Sequence, residues 1–176
     1  MKKVVFLFLV LTSSITFSQS DAFSNDVKQC LKSNGTHAYY ENVVDQMFAM
    51  LKQQYESQNV PQSVWADIEL IKPEALNSLK DMIVSAYKGH YTHNDVIQMN
   101  KLYATDTGKR MTTNSSSLTE ADKIVIKEFY ASKTGEKILG SQNSMNAVLT
   151  SITEKWSGEL YQNVVEQLSN KGFNKG

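Results

Sequence analysis

The sequence predicts an all-α fold: a single-domain helical bundle of about six to eight helices with an internal helix-turn-helix duplication and a long C-terminal helix. Three observations predict it. No strand-like alternation of useful length occurs anywhere, and apolar residues recur at three- and four-residue spacing from Tyr40 to Leu168. The segment Tyr91 to Met111 also returns as Leu118 to Ile138 at a constant offset of 27 residues, with seven of 21 positions identical. The identities are Thr92/Thr119, Asp95/Asp122, Ile97/Ile124, Tyr103/Tyr130, Ala104/Ala131, Thr107/Thr134 and Gly108/Gly135.

Taken in order, residues 1–20 read as a secretory signal peptide. Lys2 and Lys3 give the charged start, Val4 to Leu11 the apolar run, and small residues stand where cleavage is expected, near Gln19 to Asp21. Ser18 with Thr16 and Ser20 with Ser18 fit the cut equally well. The apolar run is too short for the roughly 20 residues that span a bilayer, so no transmembrane helix is expected in the mature chain. Removing residues 1–20 leaves 16 basic against 18 acidic residues, a net charge of −2 that gives no electrostatic reason to expect nucleic acid. Residues 21–170 make one all-helical domain. Cys30 is the only cysteine, so no internal disulfide forms and packing must stabilise the domain; on a short amphipathic helix it reads as a buried apolar residue.

A first helix over Asp26 to Lys32 is stopped by Asn34-Gly35. From His37 to about Ser57, Tyr40, Val44, Met47, Phe48, Leu51 and Tyr55 form one apolar stripe. Pro61 and Pro73 open the next two helices, with Val64, Trp65, Ile68 and Ile71, then Leu76, Leu79, Met82, Ile83, Ala86 and Tyr87, on their buried sides; Gly89 ends the second. Thr92 and Thr119 are N-cap residues with Asp95 and Asp122 three positions on. Val96, Met99, Leu102 and Tyr103 in one copy, and Ile124, Ile126, Phe129 and Tyr130 in the other, point to a shared core, while Met111 to Ser117 reads as a loop. After Gly135 a helix of more than 30 residues is expected, with a kink allowed at Gly140 or Gly158 and a frayed tail over 171–176.

This layout resembles the bacterial family known as domain of unknown function 2059, a group of exported, all-helical proteins. The resemblance runs from about Asp26 to Leu168. It is most specific in Ala86-Tyr87-Lys88-Gly89-His90-Tyr91-Thr92, running into Asp95-Val96 and Tyr103-Ala104-Thr105-Asp106-Thr107-Gly108-Lys109. The chain departs from the family pattern at Asn94, where an acid is usual, and at Asp106-Thr107, where Ser-Pro or a similar pair is common. The resemblance implies a place in the bacterial envelope and adds no activity, since the family has none firmly assigned.

Motifs that could carry chemistry are each better explained by structure. Asp106-Thr107-Gly108 has the letters of an aspartic-protease loop, but the second copy reads Lys133-Thr134-Gly135 and supplies no second carboxylate. Ser85-x-x-Lys88 with Lys133-Thr134-Gly135 has two parts of a penicillin-recognising set and lacks the Ser-x-Asn element. His90 and His93 are three apart, yet Thr92 caps the helix between them, which puts the rings on unlike geometry for a metal. Gly135 to Gly140 has phosphate-loop glycine spacing, but Ser141-Gln142 follows where Lys-Ser/Thr is required. Asn34-Gly-Thr and Asn114-Ser-Ser read only as exposed loops. No catalytic, metal or cofactor residue is therefore assigned. Tyr87, His90, Tyr91, Tyr103 and Tyr130 are the weak candidates for lining a ligand pocket, since tyrosines at helical spacing usually form core.

The leading reading is a non-enzymatic secreted or periplasmic helical binding or interaction module, contacting an envelope protein or an apolar small ligand, with no cofactor. The alternative is a small envelope hydrolase whose site assembles from residues distant in sequence.

Overall fold

The computed structural model describes residues 21–174. Helix α1 occupies residues 21–33, α2 Thr36–Gln54, α3 Gln62–Glu69, α4 Lys72–His90, α5 His93–Ala104, α6 Asp106–Thr113, α7 Glu120–Tyr130 and α8 Lys133–Asn170. Short 3₁₀ turns lie at Glu56–Gln58 and Ser115–Ser117, and no strand occurs among the described residues. The expected signal peptide lies outside them. The fold is all-α, with the long C-terminal helix that the apolar spacing predicts: α8 runs 38 residues without interruption at Gly140 or Gly158.

Local chemistry sets the helix ends. Gly35 takes φ 83°, the left-handed conformation that only glycine adopts without strain, and separates α1 from α2. Pro61 caps α3 and Pro73 stands in the first turn of α4. Thr92 and Thr119 each head a full capping box: the threonine hydroxyl accepts from the Asp amide three residues on, and that Asp carboxylate accepts from the threonine amide.

Several boundaries differ from expectation: α1 begins at residue 21, five residues before Asp26, and α2 ends at Gln54, short of Ser57. Helix α4 continues to His90, one residue past Gly89. Met111–Thr113, expected in the loop, belong to α6, because Thr105 caps that helix and Thr112 and Thr113 return their hydroxyls to backbone carbonyls within it. Past Lys171, Gly172 at φ 92° lets Phe173 N–H reach Leu168 O and Gly172 N–H reach Ser169 O, a Schellman ending where fraying was expected to begin.

The described chain gathers into two compact units. Unit one holds residues up to Asn34 with His90–Leu139; unit two holds Gly35–Gly89 with Gly140 onward. The core of unit one includes Val27, Cys30, Leu31, Tyr91, Val96, Met99 and Leu102. Cys30 is fully buried, as its position on an amphipathic helix suggested. The second repeat is less covered than expected: Ile124 is 59% exposed and Ile126, Phe129 and Tyr130 are only half-buried, so the shared core is built mainly from the first copy. Unit two is centred on Val44, Phe48, Leu51 and Tyr55 of the α2 end, Trp65 and Ile68 of α3, Leu79 and Ile83 of α4, and Trp156, Leu160, Val164 and Leu168 of α8. Trp156 is 3% exposed and donates its indole N–H to Ala75 O at 2.9 Å.

Candidate functional site

In unit one the two repeats hold each other by exchange. Asp122, the capping carboxylate of the second copy, accepts from Thr107 Oγ1 at 2.6 Å and from Arg110 Nε and Nη2 at 3.0 and 2.6 Å, all in the first copy. Asp95, its counterpart in the first copy, accepts from Thr134 Oγ1 at 2.9 Å and from Lys137 Nζ, both in the second. The partners sit at the same offset as the repeat, so the arrangement is a pseudo-twofold in which each copy braces the other's helix cap.

The glycines of the repeat let the two successive helices within each copy approach closely at their turn. A Cβ on Gly108 would stand 2.1 Å from Leu102 O and 2.6 Å from Tyr103 Cα; on Gly135 it would stand 2.3 Å from both Phe129 O and Tyr130 Cα. These are equivalent atoms in the two copies. In each, the turn hydroxyl repeats as well: Thr105 and Ser132 accept from the glycine amide and donate to the carbonyl of Leu102 or Phe129.

The electrostatics follow from this geometry. Burial alone would raise the Asp95 pKa, but Lys137 together with Thr92 and Thr134 outweighs it and holds the carboxyl well below the usual range. Asp122 is lowered in the same direction, chiefly by Arg110, then by Thr107 and the Thr119 cap. Both carboxylates are therefore ionised acceptors whose bonding is satisfied within the fold. They are structural anchors, with no proton to offer a substrate.

The five ligand candidates fall on either side of the unit boundary, which passes through the end of α4. Tyr87 lies in unit two; His90, Tyr91, Tyr103 and Tyr130 lie in unit one. Tyr91 is buried, and the Tyr103 hydroxyl is pushed upward, first by burial and then by nearby Cys30, Tyr130 and Tyr91. His90 and His93 have different ring neighbours. His93 Nε2 pairs with Asp26 Oδ2 at 2.6 Å and its ring stacks on Phe23 at 5.0 Å, which ties α1 to α5; His90 instead neighbours the Tyr91 ring at 6.3 Å. An acid–imidazole pair is two parts of a nucleophile–base–orienter set, but no hydroxyl or thiol is bonded to His93 among the described residues. Among those residues no group of three His, Cys, Asp or Glu is placed to hold a metal ion.

One opening in unit two lies where α4 meets α8. Ile71, Ala75, Trp156 and Leu160 line its apolar surface, and Glu74, Ser78, Glu159 and Asn163 its polar one, around a cavity of about 240 Å³. The small Ala75 makes room for the indole, which its own carbonyl fixes in place. Sequence reasoning found Ile71, Trp156 and Leu160 as helix-stripe residues but missed the polar partners. The available signal was the four-residue spacing of Glu74 with Ser78 and of Glu159 with Asn163, which puts each pair on one helix face. No helix among the described residues is long and apolar enough to cross a membrane.

Residues 77–123 match the family model of domain of unknown function 2059, described as an uncharacterized protein conserved in bacteria. The match covers the segment Ala86 to Lys109 that carries the resemblance, and it reaches from α4 into the capping box of the second repeat. No curated protein matches the chain. No solved structure matches it either.

Proposed function

We propose that the protein is an exported, non-enzymatic helical binding module, periplasmic or secreted, whose α4–α8 groove takes a small ligand with an apolar body and a cationic group. The observation that carries this reading is the groove itself: a fixed indole and aliphatic side chains beside the two carboxylates of Glu74 and Glu159. Apolar contact supplies affinity in such a site, and the two lining acids select charge. Export is supported by the charged start and apolar run of residues 1–20. The binding test is a titration of the mature chain with single-chain alkylammonium ions below their micelle concentration, followed by amide NMR. Saturable shifts at Ala75, Ser78, Leu160 and Asn163, weakened by Glu74→Gln with Glu159→Gln and abolished by Ser78→Trp, are expected. Shifts absent, or indifferent to both changes, would overturn the reading. Cell fractionation with N-terminal sequencing tests export: the mature chain should begin near Gln19 to Asp21 outside the cytoplasm.

A further inference from the structure

A second surface of unit two, separate from the α4–α8 groove, has the chemistry of a sugar platform. Tyr39, in the first turn of α2, is 62% exposed despite its large ring. The ring is not loose: it meets Tyr40 at 5.1 Å and 74°, Tyr40 meets Trp156 at 5.9 Å and 81°, and the Tyr40 hydroxyl is bonded to Thr153 Oγ1 at 2.7 Å. Beside this aromatic ladder, Tyr39, Tyr40, Leu149 and Thr153 line an open groove of about 460 Å³ together with Asn146, Thr150 and Glu154. These last three stand four residues apart on α8, so their polar ends form a row with about 6 Å between neighbours. None of the three makes a side-chain hydrogen bond among the described residues.

An exposed, braced aromatic ring beside a row of uncommitted amide, hydroxyl and carboxylate groups matches the two sides of a pyranose. The C–H face of such a sugar packs on a π-face, and its rim of hydroxyls needs donors and acceptors at ångström-scale intervals. We propose that this groove binds a short neutral oligosaccharide, with one ring stacked on Tyr39 and the neighbouring hydroxyls on Asn146, Thr150 and Glu154. The groove's only ionised group is the Glu154 carboxylate, which disfavours sulfated or uronic sugars.

The test titrates the mature full-length chain with chitotriose, cellotriose and maltotriose under amide NMR, so that N-acetylated and plain sugars, and β and α linkages, are compared. Saturable shifts at Tyr39, Asn146, Thr150 and Glu154, with at least one of the three sugars and without shifts at Ala75 and Ser78, are expected. Tyr39→Ala should weaken binding about tenfold or more, as loss of an aromatic contact does, whereas Tyr39→Trp should retain it. Thr150→Trp, which fills the groove from an exposed position, should abolish it. Flat titrations with all three sugars, shifts mapped to another surface, or binding indifferent to Tyr39→Ala would overturn the proposal. The alkylammonium groove can fail or hold independently, because its reporter amides are different.

Discussion

Alanine at Gly108 or Gly135 tests whether the helix-turn-helix within each copy is closed by backbone contact. At Gly108 the added Cβ must move from 2.1 Å to about the 3.4 Å of ordinary contact with Leu102 O, and the obstacle is main chain. At Gly135 the corresponding distance is 2.3 Å, to Phe129 O and to Tyr130 Cα. A flexible side chain could swing away; here the two helices of one copy have to part at their turn, which strains the Thr105 or Ser132 hydroxyl bonds there. Overpacking of this kind costs about 1–3 kcal/mol, and a rigid obstacle puts the cost near the upper end. Against it stands a gain of at most about 1 kcal/mol, the helix-interior value, because both glycines lie in the first turn of their helices. The net expectation is a loss of about 2 kcal/mol at each position. Gly140 and Gly158, on the same helix as Gly135, have no atom within 4 Å of a Cβ, so alanine there should stabilise by about 0.5–1 kcal/mol. Urea unfolding followed by circular dichroism reads all four, with amide exchange of α5 to α7 reporting on unit one alone. If Gly108→Ala and Gly135→Ala behave like Gly140→Ala, the close approach is absent and the account of the turn within each copy is wrong.

Two further outcomes follow from the same structure. Trp156→Ala should cost about 3–5 kcal/mol, since it empties a buried aromatic site and leaves the Ala75 carbonyl without the indole; a urea midpoint that barely moves would place Trp156 on the surface. Asp95 and Asp122 both have folded-state pKa values below the unfolded value of about 3.9, so their contribution is complete above about pH 5 and is lost as pH falls through the folded values. Stability measured from pH 7 to pH 2 should fall below about pH 4, and Asp95→Asn with Asp122→Asn should flatten that slope; an unchanged slope would refute the assignment.

The helices were legible because their signals are local. Proline at Pro61 and Pro73, glycine at Gly35, and Thr-x-x-Asp at Thr92 and Thr119 act within four residues, so the sequence carries them whole. The duplication was legible too, as seven identities at one offset, but its consequence was not. That Asp95 answers to Lys137, and Asp122 to Arg110, depends on a pseudo-twofold that no spacing within one copy encodes. The second copy's apolar residues misled for a related reason. Ile124 aligns with Ile97, and Phe129 with Leu102, but periodicity says which residues share a face and not whether anything covers it. Helix α1 packs on the first copy through Asp26, which holds both His93 and Asn100; the equivalent positions of the second copy are Glu120 and Lys127, which cannot receive the same helix in the same way. The candidate sites in unit two were hidden because they join α2 or α4 to α8, segments about 80 or more residues apart.

Amide exchange at the two helix caps tests the exchanged bracing most directly. Lys137→Met removes a cation from the second copy, yet it should speed exchange at the Thr92 and Asp95 amides of the first copy, whose capping box depends on the Asp95 carboxylate. Arg110→Met should do the reverse, loosening the Thr119 and Asp122 amides and sparing Thr92 and Asp95. Faster exchange confined in each variant to the helix that carries the substitution would contradict the account.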